Sequence, residues 1–171
     1  MGYSMFFRSI ITAAALAALT AVPVSAATAV TPNSGWVTFT FGNVGSSFAG
    51  EAFTFTLGSV GTLSVTDAFN DGDRFEIFDF GSSLGLTSVP TNGTFDISND
   101  YDAALLDPRY SSAVFVLGAG SYSITGVTID SPFGGGGAAL RVDSDVPIPA
   151  AGLLLLTGLA GLAGLRRRKT T

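Results

Sequence analysis

Two five-residue runs constrain the fold of this chain more than anything else in it. Val37-Thr38-Phe39-Thr40-Phe41 and Phe53-Thr54-Phe55-Thr56-Leu57 alternate strictly, large apolar with threonine. A period of two in aromatic and β-branched residues specifies strands with one buried face, and excludes helix over the same residues. The pattern returns further on. Leu63 and Val65 alternate with Thr62, Ser64 and Thr66, and Phe75 and Ile77 with Arg74, Glu76 and Phe78. Val114 to Leu117, Tyr122 to Ile124, Val127 to Ile129 and Ala139 to Val142 complete the set. Between the runs lie turn formers: Gly42-Asn43, Gly58-Ser59, Asn70-Asp71-Gly72-Asp73, Gly81-Ser82 and Gly118-Ala119-Gly120. Gly134 to Gly137 reads as a hairpin tip, and Asp100 to Asp107 as one helical turn before Pro108. Short, evenly punctuated strands predict an all-β fold, a single β-sandwich or jelly-roll-like domain. With 12 of the chain's 14 phenylalanines between residues 27 and 145 and no cysteine, that core is held by burial alone.

Composition narrows the chemistry. The chain of 171 residues has no His and no Cys. That removes imidazole- and thiolate-based nucleophile systems, and with them the zinc and iron–sulfur ligand sets. All 13 acidic residues lie between residues 27 and 145, with only Arg74, Arg109 and Arg141 among them, a formal charge of −10. Such a segment repels nucleic acid, which binds through Lys and Arg. No catalytic constellation emerges, and the chain is expected to be non-enzymatic.

The remaining cations sit at the two ends. Arg8 precedes an apolar run from Ile10 to Val22, which is followed by Pro23-Val24-Ser25-Ala26-Ala27. A cationic start, a short apolar stretch and small residues form a secretory signal. Residues 1–26 are therefore expected to be a signal helix engaging the secretion translocase. Cleavage falls between Ala26 and Ala27, and leaves a domain over 27–145. At the other end, residues 150–165 carry no charge and are followed by Arg166, Arg167, Arg168 and Lys169. As a helix this stretch is about 24 Å long, a transmembrane helix for a thin bilayer. The basic cluster would stay in the cytoplasm, which puts the domain on the far side of the inner membrane.

Val146-Pro147-Ile148-Pro149-Ala150, the apolar stretch and the basic cluster together resemble the PEP-CTERM class of sorting signals of Gram-negative bacteria. The motif is similar to the VPLPA-CTERM variant, with Ile148 in place of Leu. The resemblance implies that residues 146–171 are handled by an exosortase-type processing enzyme. The protein is then anchored transiently in the inner membrane and released to the cell surface or extracellular matrix. The segments Thr62–Phe69, Gly72–Asp79 and Asp107–Ser112 resemble secreted β-domains of unassigned function that travel with such tails. The implied role is structural or adhesive within exopolysaccharide or biofilm; the alternatives are a carbohydrate- or calcium-binding module and a plain membrane-anchored protein.

Inside the domain the densest chemistry is acidic: Asp67, Asn70, Asp71 and Asp73, then Glu76 and Asp79. Oxygen donors of this kind suit calcium, the one candidate ion, and no other cofactor is implied. The spacing is not that of an EF-hand. The competing reading of residues 70–73 is a hairpin turn held by Asn and Asp side chains. Asp73-Arg74 and Asp107-Pro108-Arg109 are candidate ion pairs. Trp36 is expected at a strand edge or in the core, with sugar stacking as the other option.

Overall fold

The computed structural model describes residues 26–48, 52–91 and 95–145. Val146, Pro147, Ile148, Pro149 and Ala150, the stretch to residue 165, Arg166, Arg167, Arg168 and Lys169, and residues 1–25 of the signal lie outside the described residues. Among the described residues no helix is long and apolar enough to cross a membrane.

The described residues hold nine strands and one short helix in chain order: β1 (Thr28–Ala29), β2 (Val37–Phe41), β3 (Phe53–Leu57), β4 (Gly61–Asp67), β5 (Arg74–Asp79), β6 (Ser82–Leu86), α1 (Tyr101–Leu106), β7 (Ser112–Leu117), β8 (Gly120–Asp130) and β9 (Gly136–Ser144). They form a five-stranded sheet, β1-β3-β8-β5-β6, and a four-stranded sheet, β2-β9-β4-β7. The fold is an all-β sandwich. Every alternating run lies in a strand, because each can bury one face only by pairing into a sheet that covers another. The runs at 122–124 and 127–129 belong to one strand, β8, which passes through Gly126 without a turn.

The connections differ from those expected. Among the described residues only β5 and β6 form a hairpin between sheet neighbours, turning through Phe80 and Gly81, both at positive φ. The segments 68–73 and 131–135 carry the chain from one sheet to the other. The hairpin readings of Asn70–Asp73 and of Gly134–Gly137 are therefore corrected to inter-sheet arches. Alternation says which face of a strand is buried and nothing of which strand pairs with it. β4 pairs with β9 and β5 with β8, Asp67 opposite Ala138 and Arg74 opposite Asp130. The two arches therefore lie side by side at one end of the sandwich.

The core is a phenylalanine cluster between the sheets. Phe39 from one sheet meets Phe53 and Phe75 from the other at ring separations of 5.8 and 6.0 Å. Phe41 stands edge-on to Phe75 at 4.8 Å. Phe48, from the β2–β3 connection, lies 4.1 Å from Phe39 and 5.5 Å from Phe75. Offset and edge-to-face pairs of this kind add to the gain from burial. Phe48 occupies the space that a side chain on β8 would take, and a Cβ at Gly126 would stand 2.1 Å from its ring. Gly126→Ala must therefore displace Phe48, and is expected to destabilise the fold by about 1–3 kcal/mol. Equilibrium urea denaturation measures it; an unchanged midpoint would show that the ring has somewhere else to go.

Candidate functional site

The acidic cluster sits at the arch between β4 and β5, and its members are not equivalent. Asp67 ends β4 and is fully buried. Its Oδ1 accepts the Ala68 N–H at 2.8 Å and its Oδ2 the Asp73 N–H at 3.2 Å. Both oxygens thus serve as acceptors, the arrangement an ionised carboxylate uses. Burial and then the neighbouring Asp73 work the other way and push the carboxyl up to about 8, despite the main-chain bonds. Asp73, also buried, is raised in turn, first by burial and then by Asp130, against a hydrogen bond to Ser131. Its Oδ1 has no hydrogen-bond partner.

Asp71 belongs to a different set of contacts. Its Oδ2 accepts the Thr91 hydroxyl and its Oδ1 the Phe95 N–H. It braces the following loop and does not join Asp67 and Asp73. Asn70 is exposed and bridges Asp96 through the main chain. Glu76 accepts from Ser83, and Asp79 accepts the Ser123 N–H. Of the sequence-derived set, then, Asp67 and Asp73 come together, Asn70 stands at their edge, and Asp71 is spent elsewhere. Ser131, from the neighbouring arch, belongs to the site; only strand pairing brings it there.

The arch is held in shape from outside. Phe69 is left-handed at φ 60°, a costly conformation for an aromatic residue. Its N–H and C=O are paired with Ser98 and Ile97. The buried Tyr110 hydroxyl donates to the carbonyls of Phe69 and Phe95, both at 3.0 Å. Beside the arch lies a cavity of about 110 Å³, lined by Asn70, Asp73, Phe133 and Gly135, Gly136 and Gly137. A larger cleft of about 440 Å³ is lined by Thr38, Thr40, Phe53, Phe69 and Tyr101 among others, and no charged residue is among its lining.

A second cluster lies on the outer face of the four-stranded sheet. α1 packs on β4, capped by Asp100, whose side chain accepts the Ala103 N–H. The Trp36 indole N–H donates to Asp102 at 3.1 Å, and Tyr101 lies 5.8 Å from the Trp36 ring. Arg141 lies over the Trp36 ring at 4.5 Å and pairs with Asp102 and Asp143 at 2.6 and 2.8 Å. These bonds, Arg141 first and Trp36 second, hold the Asp102 carboxyl below its ordinary range. Trp36 is thus half-buried in a surface cluster just ahead of β2, outside the core.

The expected Asp107–Arg109 pair forms, and Arg109 also lies over Phe95 at 4.1 Å. Arg74 instead donates to the Thr87 carbonyl, because β5 carries its side chain toward the loop after β6. Ala26 and Ala27 are exposed just ahead of β1.

No protein-family model matches this sequence, and no curated protein matches it. Among solved structures, the pre-peptidase C-terminal domain of a Bacillus anthracis collagenase is similar over 72% of this chain and 100% of its own, at 12% identity and a TM-score of 0.40. The C-terminal CBM6 of LamC, a marine laminarinase of Zobellia galactanivorans, is similar over 59% of this chain and 74% of its own, at 19% identity and a TM-score of 0.36.

The state of Asp67 sets a pH dependence. Its carboxyl titrates near 8 in the fold and at the ordinary 3.8 in the unfolded chain. Between those values the native state keeps a proton that the unfolded state releases, so rising pH favours unfolding. In chelator, the melting temperature is expected to fall from pH 5 to pH 8 and to level off above. Asp67→Asn should flatten most of that slope, Asp73 contributing the remainder. A wild-type profile that rises over this window would contradict the assignment.

Proposed function

We propose that this chain is an exported, non-catalytic surface protein, delivered by its two terminal segments and processed at the Val146–Ala150 motif by an exosortase-type enzyme. The carrying observation is the segregation of charge. Five of the eight cations lie in the end segments, at Arg8, Arg166, Arg167, Arg168 and Lys169, and all 13 acids lie between. The cations, set beyond the two apolar stretches and away from the domain, are where the positive-inside bias requires them for a domain held outside the inner membrane. The folded part supports the reading. Its three arginines are all engaged internally, at Thr87, at Asp107, and at Asp102 with Asp143. The surface therefore stays acidic and soluble, without a basic patch for nucleic acid or anionic lipid. Ser59 and Val60 bond the main chain of Asp145, so the domain is tied down up to the residue before the motif. The role in this reading is structural or adhesive within exopolysaccharide.

The cluster of Trp36, Tyr101, Asp102 and Arg141 favours a second reading, a carbohydrate-binding surface. It offers aromatic faces beside fixed polar groups, the combination that stacks on and orients a sugar ring.

In a Gram-negative host with an exosortase, the wild-type chain should lose its tail and appear outside the inner membrane. Pro149→Ala should remain full-length in inner-membrane fractions, read by gel mobility. Equal processing of the two would remove the sorting motif from the proposal. For the second reading, migration in native gels cast with the host exopolysaccharide should be retarded. Trp36→Ala should weaken that retardation ~tenfold, the worth of one aromatic contact; equal mobility of variant and wild type would dismiss the sugar surface.

A further inference from the structure

The corner where the two arches meet gathers carboxyl groups with no cation among their contacts. Asp67 and Asp73 are both buried there, and the charges acting on them are carboxylates, Asp73 on Asp67 and Asp130 on Asp73. All three arginines of the domain are engaged elsewhere. Among the described residues, Asp73 stands out further: it is 4% exposed, and its Oδ1 has no hydrogen-bond partner. An orphaned carboxylate oxygen at this depth is costly unless something outside the chain satisfies it. Asp73 faces the cavity of about 110 Å³, whose rim carries the exposed Asn70. Gly136 lies alongside, where a Cβ would be in ordinary contact with Asp73 Oδ2 at 3.7 Å.

We propose that this corner binds one calcium ion, with Asp73 Oδ1 as a direct ligand, Asn70 supplying a neutral oxygen, and the ion clamping the β4–β5 arch to the β8–β9 arch. The donors on hand are all oxygen: the Asp73 carboxylate, the Asn70 amide, the Ser131 hydroxyl and main-chain carbonyls. Among the described residues there is no convergence of three acidic groups, so waters complete the shell. A flexible shell with few charges suits calcium over magnesium, which demands a tight octahedron. It also sets the affinity in the weak range, a dissociation constant of about 10⁻⁴–10⁻³ M, as in extracellular modules. Asp71 takes no part, since both its oxygens are bonded within the loop.

The test is thermal unfolding of the full-length chain in mild detergent, with EDTA, with 5 mM calcium chloride and with 5 mM magnesium chloride. Calcium should raise the melting temperature by about 5 °C, and magnesium by much less. Asp73→Asn should abolish the calcium shift while melting no lower than wild type in EDTA. Asn70→Ala, at an exposed position where folding is not at stake, should weaken calcium binding at least threefold in isothermal titration. If Asp73→Asn does not fold, that titration decides alone. Equal melting of the wild type in EDTA and calcium, which would mean the cavity holds only water, overturns the proposal. So does unchanged affinity in Asn70→Ala together with an unchanged shift in Asp73→Asn.

Discussion

The contact between Phe39 and Phe75 across the interior is what the rest of the molecule depends on. Two sheets without a disulfide stay face to face only if their inner surfaces interlock, and here that task falls to aromatic rings. Phe75 receives Phe39 and Phe41 from the opposite sheet and Phe48 from a connection. Planar rings meeting edge to face fill an interior about 10 Å thick with few rotatable bonds to freeze. The cost is geometric intolerance. Phe48 fits only because Gly126 presents no side chain, so one strand surrenders a core position to a ring arriving from a loop. That also explains why β8 runs unbroken for 11 residues. The glycine in its middle is a packing device, and its hydrogen bonds continue through it to Ile77 on β5.

The buried faces were legible in the sequence, and the wiring was not. Phe39, Phe41, Phe53, Phe55, Leu63, Val65, Phe75 and Ile77 are all buried, as their alternation requires. Two strands left no such mark. β1 is a two-residue parallel addition at a sheet edge, and β6, Ser-Ser-Leu-Gly-Leu, is largely exposed, so neither needs a full apolar face. Ser64 and Thr66 are buried on the polar side of β4 because α1 lies over that face. Residues 101–106 were readable as a helical turn, yet nothing local says where the turn docks. The turn signals fared worst. Gly, Asn and Asp mark where the chain bends, whereas the partner of each strand depends on long-range packing. Hence an arch and a hairpin look alike in sequence, and the site inherits that ambiguity. Asp67 and Asp73 were visible as acids six residues apart, but Ser131 joins them only because β5 lies against β8.

That ambiguity bears on where a sandwich places its polar burden. A strand passing from sheet to sheet must turn its main chain through the edge of the core, and the amides at the turn need acceptors there. Asp67 meets that demand for Ala68 and Asp73, and Asp71 for Phe95. A hydroxyl or amide side chain would serve each amide at lower electrostatic cost. The chain instead uses carboxylates in a domain with only three arginines, and commits each arginine elsewhere. Side by side in one corner, two such carboxylates repel, and the fold must either hold a proton between them or admit a cation. Asp71 instead faces Thr91 and the Arg109–Tyr110 side of the loop. The contrast between acids four residues apart, Asp67 and Asp71, thus comes from topology alone: one points into the seam between two arches, the other away from it.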